Sequence, residues 1–530
     1  MSRRLIGVFA AFLFLCSVCY FRVFALATSP QLKEAAGSQG SVSLTAVSGR
    51  GDIFDRNGEK LVNVAPAYKV VLTPEQALQN YILLKDEVDS TDALEAGMQG
   101  TKPFVLSLSR RLKDDSLLHF VDYSRYEDNQ SAAHIVGYLN GGKGVSGIEK
   151  AYDSLLAEGG YTATVSMQVS GMGTVIEGRP PQVEERQGQA SVTLTLDKRI
   201  QQIAERTMKD VDKGAVIVSD LTTGELLAVV SKPVFDPNAL WESLTDEDKP
   251  FVNRAFSGFN VGSTFKIVVA AAALQSGIDP SYAYTCTGSI DVDGQVYNCL
   301  EKNGHGTITM LEAVEHSCNT YFIDLGLKVG YDKVYAMARA LGFGQGTEFA
   351  PGLSSAEGNL PLPSELPGAA QVANVVFGQG SLLATPVQIG NLFSACGTGG
   401  TFITPTLVKS VMEDGVTTQV GEAQRTTVRC FDEGTAAQLR ELLIASIEHG
   451  SGILAKPERG TAGGKTGSAQ TGQYDENGNE IVHAWFGGFY EWQDGRYGIT
   501  VLVEGGGFGG NMAAPIFKTI ADGIAELEPA

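Results

Sequence analysis

Apolar residues crowd the start of the chain and then change their rhythm. After Arg3 and Arg4 the chain is apolar over residues 5–21, and past Arg22 it stays apolar to Ala27. A basic start before a run close to the roughly 20 residues that span a bilayer predicts a membrane helix with its N-terminus inside. A cleaved export signal ending at Ala25-Leu26-Ala27 fits the same pattern, and the full count to Ala27 favours the helix. No later segment is long and apolar enough to cross again, so the rest is expected outside the cytoplasm.

The rhythm then alternates between short strands and helices. Residues 55–58, Asp-Arg-Asn-Gly, predict a hairpin turn, and residues 178–189, with Pro180-Pro181 and several charges, predict an exposed linker. Asp197 is placed to cap a helix running to Met208. Residues 214–220 and 225–230, around Thr222-Thr223-Gly224, predict a hairpin, as do residues 484–489 and 498–503 around Gln493-Asp494-Gly495. Residues 267–275 are apolar almost all round, which predicts a buried helix closed by Gly277. Helical stretches are also expected at 310–315 and 514–527. Strands at both ends with helices between predict an α+β domain whose terminal strands share one antiparallel sheet.

Chemistry enters at three places. Gly262-Ser263-Thr264-Phe265-Lys266 puts a hydroxyl and an amine one helical turn apart at the start of the buried helix. The helix N-terminus favours negative charge developing on the serine oxygen, and burial lowers the lysine pKa until the amine can take the serine proton. His316-Ser317-Cys318-Asn319 offers a hydroxyl able to relay a proton and an amide that both donates and accepts. Gly463-Gly464-Lys465-Thr466-Gly467-Ser468 combines close backbone approach with an ammonium and hydroxyls suited to a carboxylate. A phosphate loop is excluded at the last site, because Arg459 stands where its first glycine belongs and strand-like sequence follows.

Composition narrows the partners. A net charge of −20 argues against nucleic acid or an anionic membrane surface as an electrostatic partner. Seven cysteines are too few for a disulfide scaffold. Cys286 and Cys299 flank the turn Asp291-Val292-Asp293-Gly294-Gln295, and in an exported chain a disulfide between them is the first expectation. The same two thiolates with His305 and an aspartate would alternatively bind zinc, although the spacing follows no standard pattern.

The motifs S-x-x-K, S-x-N and K-T-G, each found once and in this order, resemble those of serine β-lactamases and penicillin-binding proteins. Further sequences make the likeness specific to class B penicillin-binding proteins. They are Arg50-Gly51-Asp52-Ile53-Phe54-Asp55-Arg56-Asn57-Gly58, Arg125-Tyr126, Gly147-Ile148-Glu149-Lys150-Ala151-Tyr152-Asp153, Leu194-Thr195-Leu196-Asp197, Gly378-Gln379-Gly380, Thr385-Pro386-Val387-Gln388 and Ala484-Trp485-Phe486-Gly487.

The resemblance implies a cytoplasmic stub and anchor over residues 1–28, an N-terminal pedestal and linker over 29–187, and a transpeptidase domain of serine β-lactamase-like fold over 188–530. It implies peptidoglycan D,D-transpeptidase activity on D-Ala-D-Ala stem peptides, with acylation by β-lactams. Ser263 would be the nucleophile and Lys266 its base, with Ser317 as relay and Asn319 holding the peptide amide. Lys465, Thr466, Gly467 and Ser468 would bind the substrate carboxylate, and the N–H groups of Ser263 and Ser468 would form the oxyanion hole. Ser317 is expected in one hydrogen-bonded set with both lysines, Lys266 neutral and Lys465 charged. No cofactor is implied and no metal is assigned to the site. The implied partner is a polytopic peptidoglycan glycosyltransferase of the shape, elongation, division and sporulation family. A β-lactam-hydrolysing enzyme and a β-lactam sensor of the same fold are the alternatives.

Overall fold

The computed structural model describes residues 3–29, 40–114, 116–176 and 178–527. Residues 30–39, 115 and 177 of the expected pedestal and 528–530 of the expected transpeptidase domain lie outside them. Residues 3–28 form one helix, Arg3–Thr28, long and apolar enough to cross a membrane. Its 26 residues rise about 39 Å, more than the roughly 30 Å of hydrocarbon core.

The chain folds into two compact units. One comprises residues up to Gly51 with Asn63–Arg125 and Gly159–Gly188; the other comprises Asp52–Val62, Tyr126–Glu158 and the chain from Gln189 onward. Two segments of the expected 29–187 pedestal therefore pack with the second unit. The reason is local pairing: Asp52–Phe54 runs parallel to Ser191–Leu194, and the buried Asp55 carboxylate accepts N–H bonds from Asn57, Glu59 and Lys198. The Tyr126 hydroxyl donates to the buried Glu149 carboxylate at 3.3 Å, joining two of the quoted motifs.

In the first unit, strand Thr162–Gln168 pairs with Ser41–Ser48 on one side and Gln182–Arg186 on the other. The expected linker thus contains a strand. All five of its side chains are exposed, so its sequence carries only the polar signature of an edge.

In the second unit the elements that carry the site are β1 (Gly214–Asp220), β2 (Leu226–Lys232), β3 (Thr461–Tyr474), β4 (Glu480–Trp492) and β5 (Gly495–Val503). They form one antiparallel sheet in the order β2-β1-β5-β4-β3, joining both ends of the domain as the pattern predicts. Helices α1 (Lys266–Gln275), α2 (Met310–Glu315), α3 (Asn319–Val329), α4 (Glu433–Glu448) and α5 (Gly509–Glu526) accompany it. Asp197 caps the helix Lys198–Thr207.

Strand alternation explains how the sheet is covered. Ala215 and Ile217 of β1, with Trp485 and Phe489 of β4, join the core that contains α1 and α3. Val216 and Val218, with Phe486 and Tyr490, join the core under α5, where the rings of Phe486 and Phe517 lie 4.7 Å apart. Both faces are buried, so these strands read as nearly unbroken apolar runs. Helix α1 is buried from Lys266 to Leu274, which accounts for its all-round hydrophobicity.

Candidate active site

Gly262–Phe265 is a 3-10 turn that runs directly into α1. Ser263 thus precedes the α-helix instead of lying in its first turn. Gly262 has φ +63°, its N–H donates to Gly378 O at 2.9 Å, and a Cβ there would lie 2.8 Å from Ser468 O. A Cβ at Gly467 would lie 3.0 Å from Val261 O. Glycine at both positions lets the Ser263 turn meet edge strand β3 backbone to backbone. The Trp485 indole N–H, donating to Asn260 O at 2.8 Å, pins the approach to that turn.

Lys266 is fully buried. Its Nζ lies 2.7 Å from Ser317 O, 2.6 Å from Asn319 Oδ1 and 3.3 Å from Ser317 Oγ. Burial pushes its pKa down to about 8, partly opposed by the charges of Cys318 and Cys299. A neutral amine needs only its two N–H groups for Ser317 O and Asn319 Oδ1, which frees its lone pair to accept a hydroxyl proton. Half-buried Ser263 is not among the partners of Lys266 in the described residues.

Ser317 holds φ +55°, a left-handed conformation that costs a non-glycine residue about 1–3 kcal/mol and collects at functional sites. It links α2 to α3, which begins at Asn319 with Cys318 at its cap. The Asn319 amide is engaged at both ends, since its Nδ2 donates to Asn298 O at 3.0 Å.

Lys465 is also fully buried, on β3 opposite Gly487. Its Nζ donates to Thr466 Oγ1 at 3.1 Å, Thr466 O at 3.3 Å and Ser451 Oγ at 3.3 Å. Among the described residues it makes no bond to Ser317, so the expected hydrogen-bonded set reaches only Lys266. Nor does Lys465 differ from Lys266 in the expected sense. Burial, then repulsion from Lys266, holds its pKa well below the ordinary lysine value, because both amines are withdrawn from water to the same degree. Thr466 and Gly467 are buried beside it, while Ser468 is half-buried. Ser468 Oγ accepts the N–H of Gly509 at the start of α5, at 3.2 Å.

Ser451 is a site residue that the motifs do not reveal. Its hydroxyl lies 3.0 Å from Thr466 Oγ1, and its N–H donates to Glu315 O at 2.8 Å, tying β3 to the end of α2. It sits in the Gly450-Ser451-Gly452 turn after α4, and that small-residue turn is its only sequence signal.

The cysteine expectations divide. Cys286 and Cys299 are free thiols, so the expected disulfide is not formed. Cys286, Cys299, His305 and Cys318 instead bring four donor atoms within 4.8 Å of one another. Cys318 takes the place expected of an aspartate.

The chain is similar to known proteins along most of its length. The family model described as penicillin binding protein transpeptidase domain matches residues 214–522. Stage V sporulation protein D of Bacillus subtilis is 30% identical over 526 residues, covering 90% of this chain and 78% of the relative. Peptidoglycan D,D-transpeptidase PbpA of Mycolicibacterium smegmatis is 31% identical over 432 residues, covering 76% and 84%. Among solved structures, penicillin-binding protein A from M. tuberculosis, a ceftriaxone acyl-enzyme complex, aligns at TM-score 0.66 and 25% identity over 90% of this chain and 98% of that one. A chain from a peptidoglycan synthase complex that coordinates polymerization and crosslinking aligns at TM-score 0.73 and 25% identity over 100% of both.

Proposed function

The chain belongs to the class B penicillin-binding proteins and is a peptidoglycan D,D-transpeptidase; from that premise we propose which residues perform the reaction, where, and with which partner. Ser263 Oγ attacks the carbonyl of the penultimate D-alanine, and its proton passes to Lys266 Nζ. The carbon–nitrogen bond to the terminal D-alanine breaks as Ser317 delivers its proton to the departing amine and takes in its place the proton held by Lys266, 3.3 Å from its Oγ. The N–H groups of Ser263 and Ser468 hold the oxyanion, where losing one donor costs on the order of a hundredfold in rate. Lys465, Thr466, Gly467 and Ser468 receive the substrate carboxylate, and Asn319 orients the peptide amide. An amine from a neighbouring stem peptide then attacks the acyl-enzyme, forming the cross-link and returning the proton to Ser263. β-Lactams acylate the same oxygen.

The observation that carries this reading is the buried Lys266 amine held by Ser317 and Asn319. It joins two motifs 51 and 53 residues apart in sequence around one lone pair.

The helix Arg3–Thr28 anchors the chain with its N-terminus in the cytoplasm, the basic Arg3 and Arg4 remaining inside, and the chain that follows the helix outside. The division into anchor, pedestal and transpeptidase domain fits such delivery to the wall. The partner is a polytopic glycosyltransferase of the shape, elongation, division and sporulation family. Full-length alignment with a chain of a complex coordinating polymerization and crosslinking supports that pairing.

The full-length chain, given a D-Ala-D-Ala donor and an acceptor amine, is expected to release D-alanine and form the cross-linked product. Ser263→Ala should lose both by about a thousandfold or more. Hydrolysis of the donor without any cross-linked product, at saturating acceptor, would contradict the transpeptidase assignment of these residues.

A further inference from the structure

Upstream of Ser263, Arg254 buries its guanidinium against the Glu504 carboxylate just past the end of β5, their side chains 6% and 19% exposed, so the ion pair is withdrawn from water. Every arm of the guanidinium is engaged. Nε donates to Glu504 Oε1, Nη2 to Asp248 O at 2.7 Å and Nη1 to Lys249 O at 3.3 Å. The Arg254 N–H donates to Ser231 Oγ at 3.0 Å, and the Glu504 N–H to Lys213 O at 2.9 Å. Each residue is therefore held at backbone and side chain alike.

From this pair two arms lead to the two N–H groups proposed to hold the oxyanion. One arm is the chain from Arg254 to Ser263. It passes through the turn Arg254–Phe256 and the strand Phe259–Asn260, which pairs with Leu383–Ala384, and reaches Gly262 past the Trp485 indole bond to Asn260 O. The other arm is the glycine-rich loop from Glu504 to Gly509. Its Gly505 N–H donates to His483 Nδ1 at 3.3 Å, its Gly507 N–H to Val482 O at 2.9 Å and its Gly509 N–H to Ser468 Oγ at 3.2 Å. A Cβ on Gly509 would lie 2.3 Å from Gly467 O, so the loop rests on β3 without slack. The arms also meet midway, where the rings of Phe259 and His483 pack edge to face at 5.7 Å. His483 lies opposite Ala469, next to Ser468.

A buried ion pair adds little net stability, because withdrawing two charges from water costs about what their attraction returns. What the guanidinium supplies is direction, since its planar fork holds acceptors at set angles. We propose that Arg254 and Glu504 are a positioning pair for acylation. Without touching substrate, they set the separation of the Ser263 and Ser468 N–H groups through the two arms. The proposal rests on the oxyanion assignment above. Loss of the pair lets both arms shift, and a displacement of about 1 Å at a reacting centre costs on the order of a hundredfold in rate.

The test uses the full-length chain in detergent and a fluorescent penicillin, with stopped-flow separating the non-covalent dissociation constant from the first-order acylation constant. Arg254→Lys keeps a cation but loses the fork, and Glu504→Gln keeps the shape but loses the charge. In each, the first-order constant is expected to fall about tenfold to a hundredfold while the dissociation constant stays within about twofold. Lys456→Ala, which breaks an exposed ion pair with Glu448, should match wild type in both. Titrating the fraction of chain that labels keeps folding apart from positioning. A merely structural pair would lower that fraction and the melting temperature, and leave the folded remainder reacting at the wild-type rate. Should either single variant fold poorly, the joint Arg254→Met and Glu504→Leu exchange removes both charges at once, and it is expected to fold and acylate at the same reduced constant. A wild-type first-order constant in the folded fraction of these variants would overturn the proposal. Equal labelling of Ser263→Ala would instead overturn the catalytic reading on which it rests.

Discussion

Lys266 is at once fully buried and bonded to Ser317 and Asn319, and in the proposed mechanism its protonation would set the rate of acylation. Its folded pKa is lowered to about 8, so the neutral, reactive amine grows as pH rises through that value. The second-order rate of acylation by a penicillin should therefore climb about tenfold per pH unit below about 8 and level off above it. A rate independent of pH between 6 and 8, measured by stopped-flow, would contradict a lysine base. Ser451→Ala removes a hydroxyl partner from Lys465 and Thr466. A loss near 1.4 kcal/mol, or about tenfold in acylation rate, is expected, with the fold unchanged by circular dichroism. Ser263, Lys266, Ser317, Asn319 and Lys465 are legible in sequence because each belongs to a short motif with its own spacing. Ser451 is not, since a serine between glycines carries no periodicity, and its position depends on α4 and β3 meeting in space. Likewise the charge state of Lys465 depends on burial from several elements, which K-T-G alone does not encode.

At the scale of elements, the candidate site exists because the turn that carries Ser263 rests directly on edge strand β3. Gly262→Ala places a Cβ 2.8 Å from Ser468 O at a residue with φ +63°, so a destabilisation of about 1–3 kcal/mol is expected. Acylation should slow further than the unfolded fraction explains, because the shift falls on the N–H groups of Ser263 and Ser468. Thermal melting and penicillin labelling on the same sample separate the two. Trp485→Ala empties a fully buried site and removes the bond to Asn260 O, and a loss of about 3–5 kcal/mol is expected by denaturant titration. Local elements such as the hairpin of β1 and β2, the pair β4 and β5, and α1 follow from apolar runs bounded by turn residues. The parallel pairing of Asp52–Phe54 with Ser191–Leu194 does not, because nothing local marks partners so far apart. Strand Gln182–Arg186 is not legible in sequence for a different reason: its side chains are exposed and it pairs with Thr162–Gln168 as the edge of its sheet.

For the whole molecule, the apolar helix belongs to one compact unit and the candidate catalytic groups all belong to the other. Deleting residues 3–28 should release the chain from the membrane fraction while leaving penicillin labelling at Ser263 intact. The central claim is that Ser263 Oγ is the atom acylated. Intact-mass analysis of the full-length chain after brief exposure to a penicillin, followed by peptide mapping, tests it most directly. One stoichiometric adduct on the peptide containing Ser263, persisting for many minutes and absent in Ser263→Ala, is the predicted result. An adduct of equal extent in Ser263→Ala, or one mapped to another residue, would contradict the account.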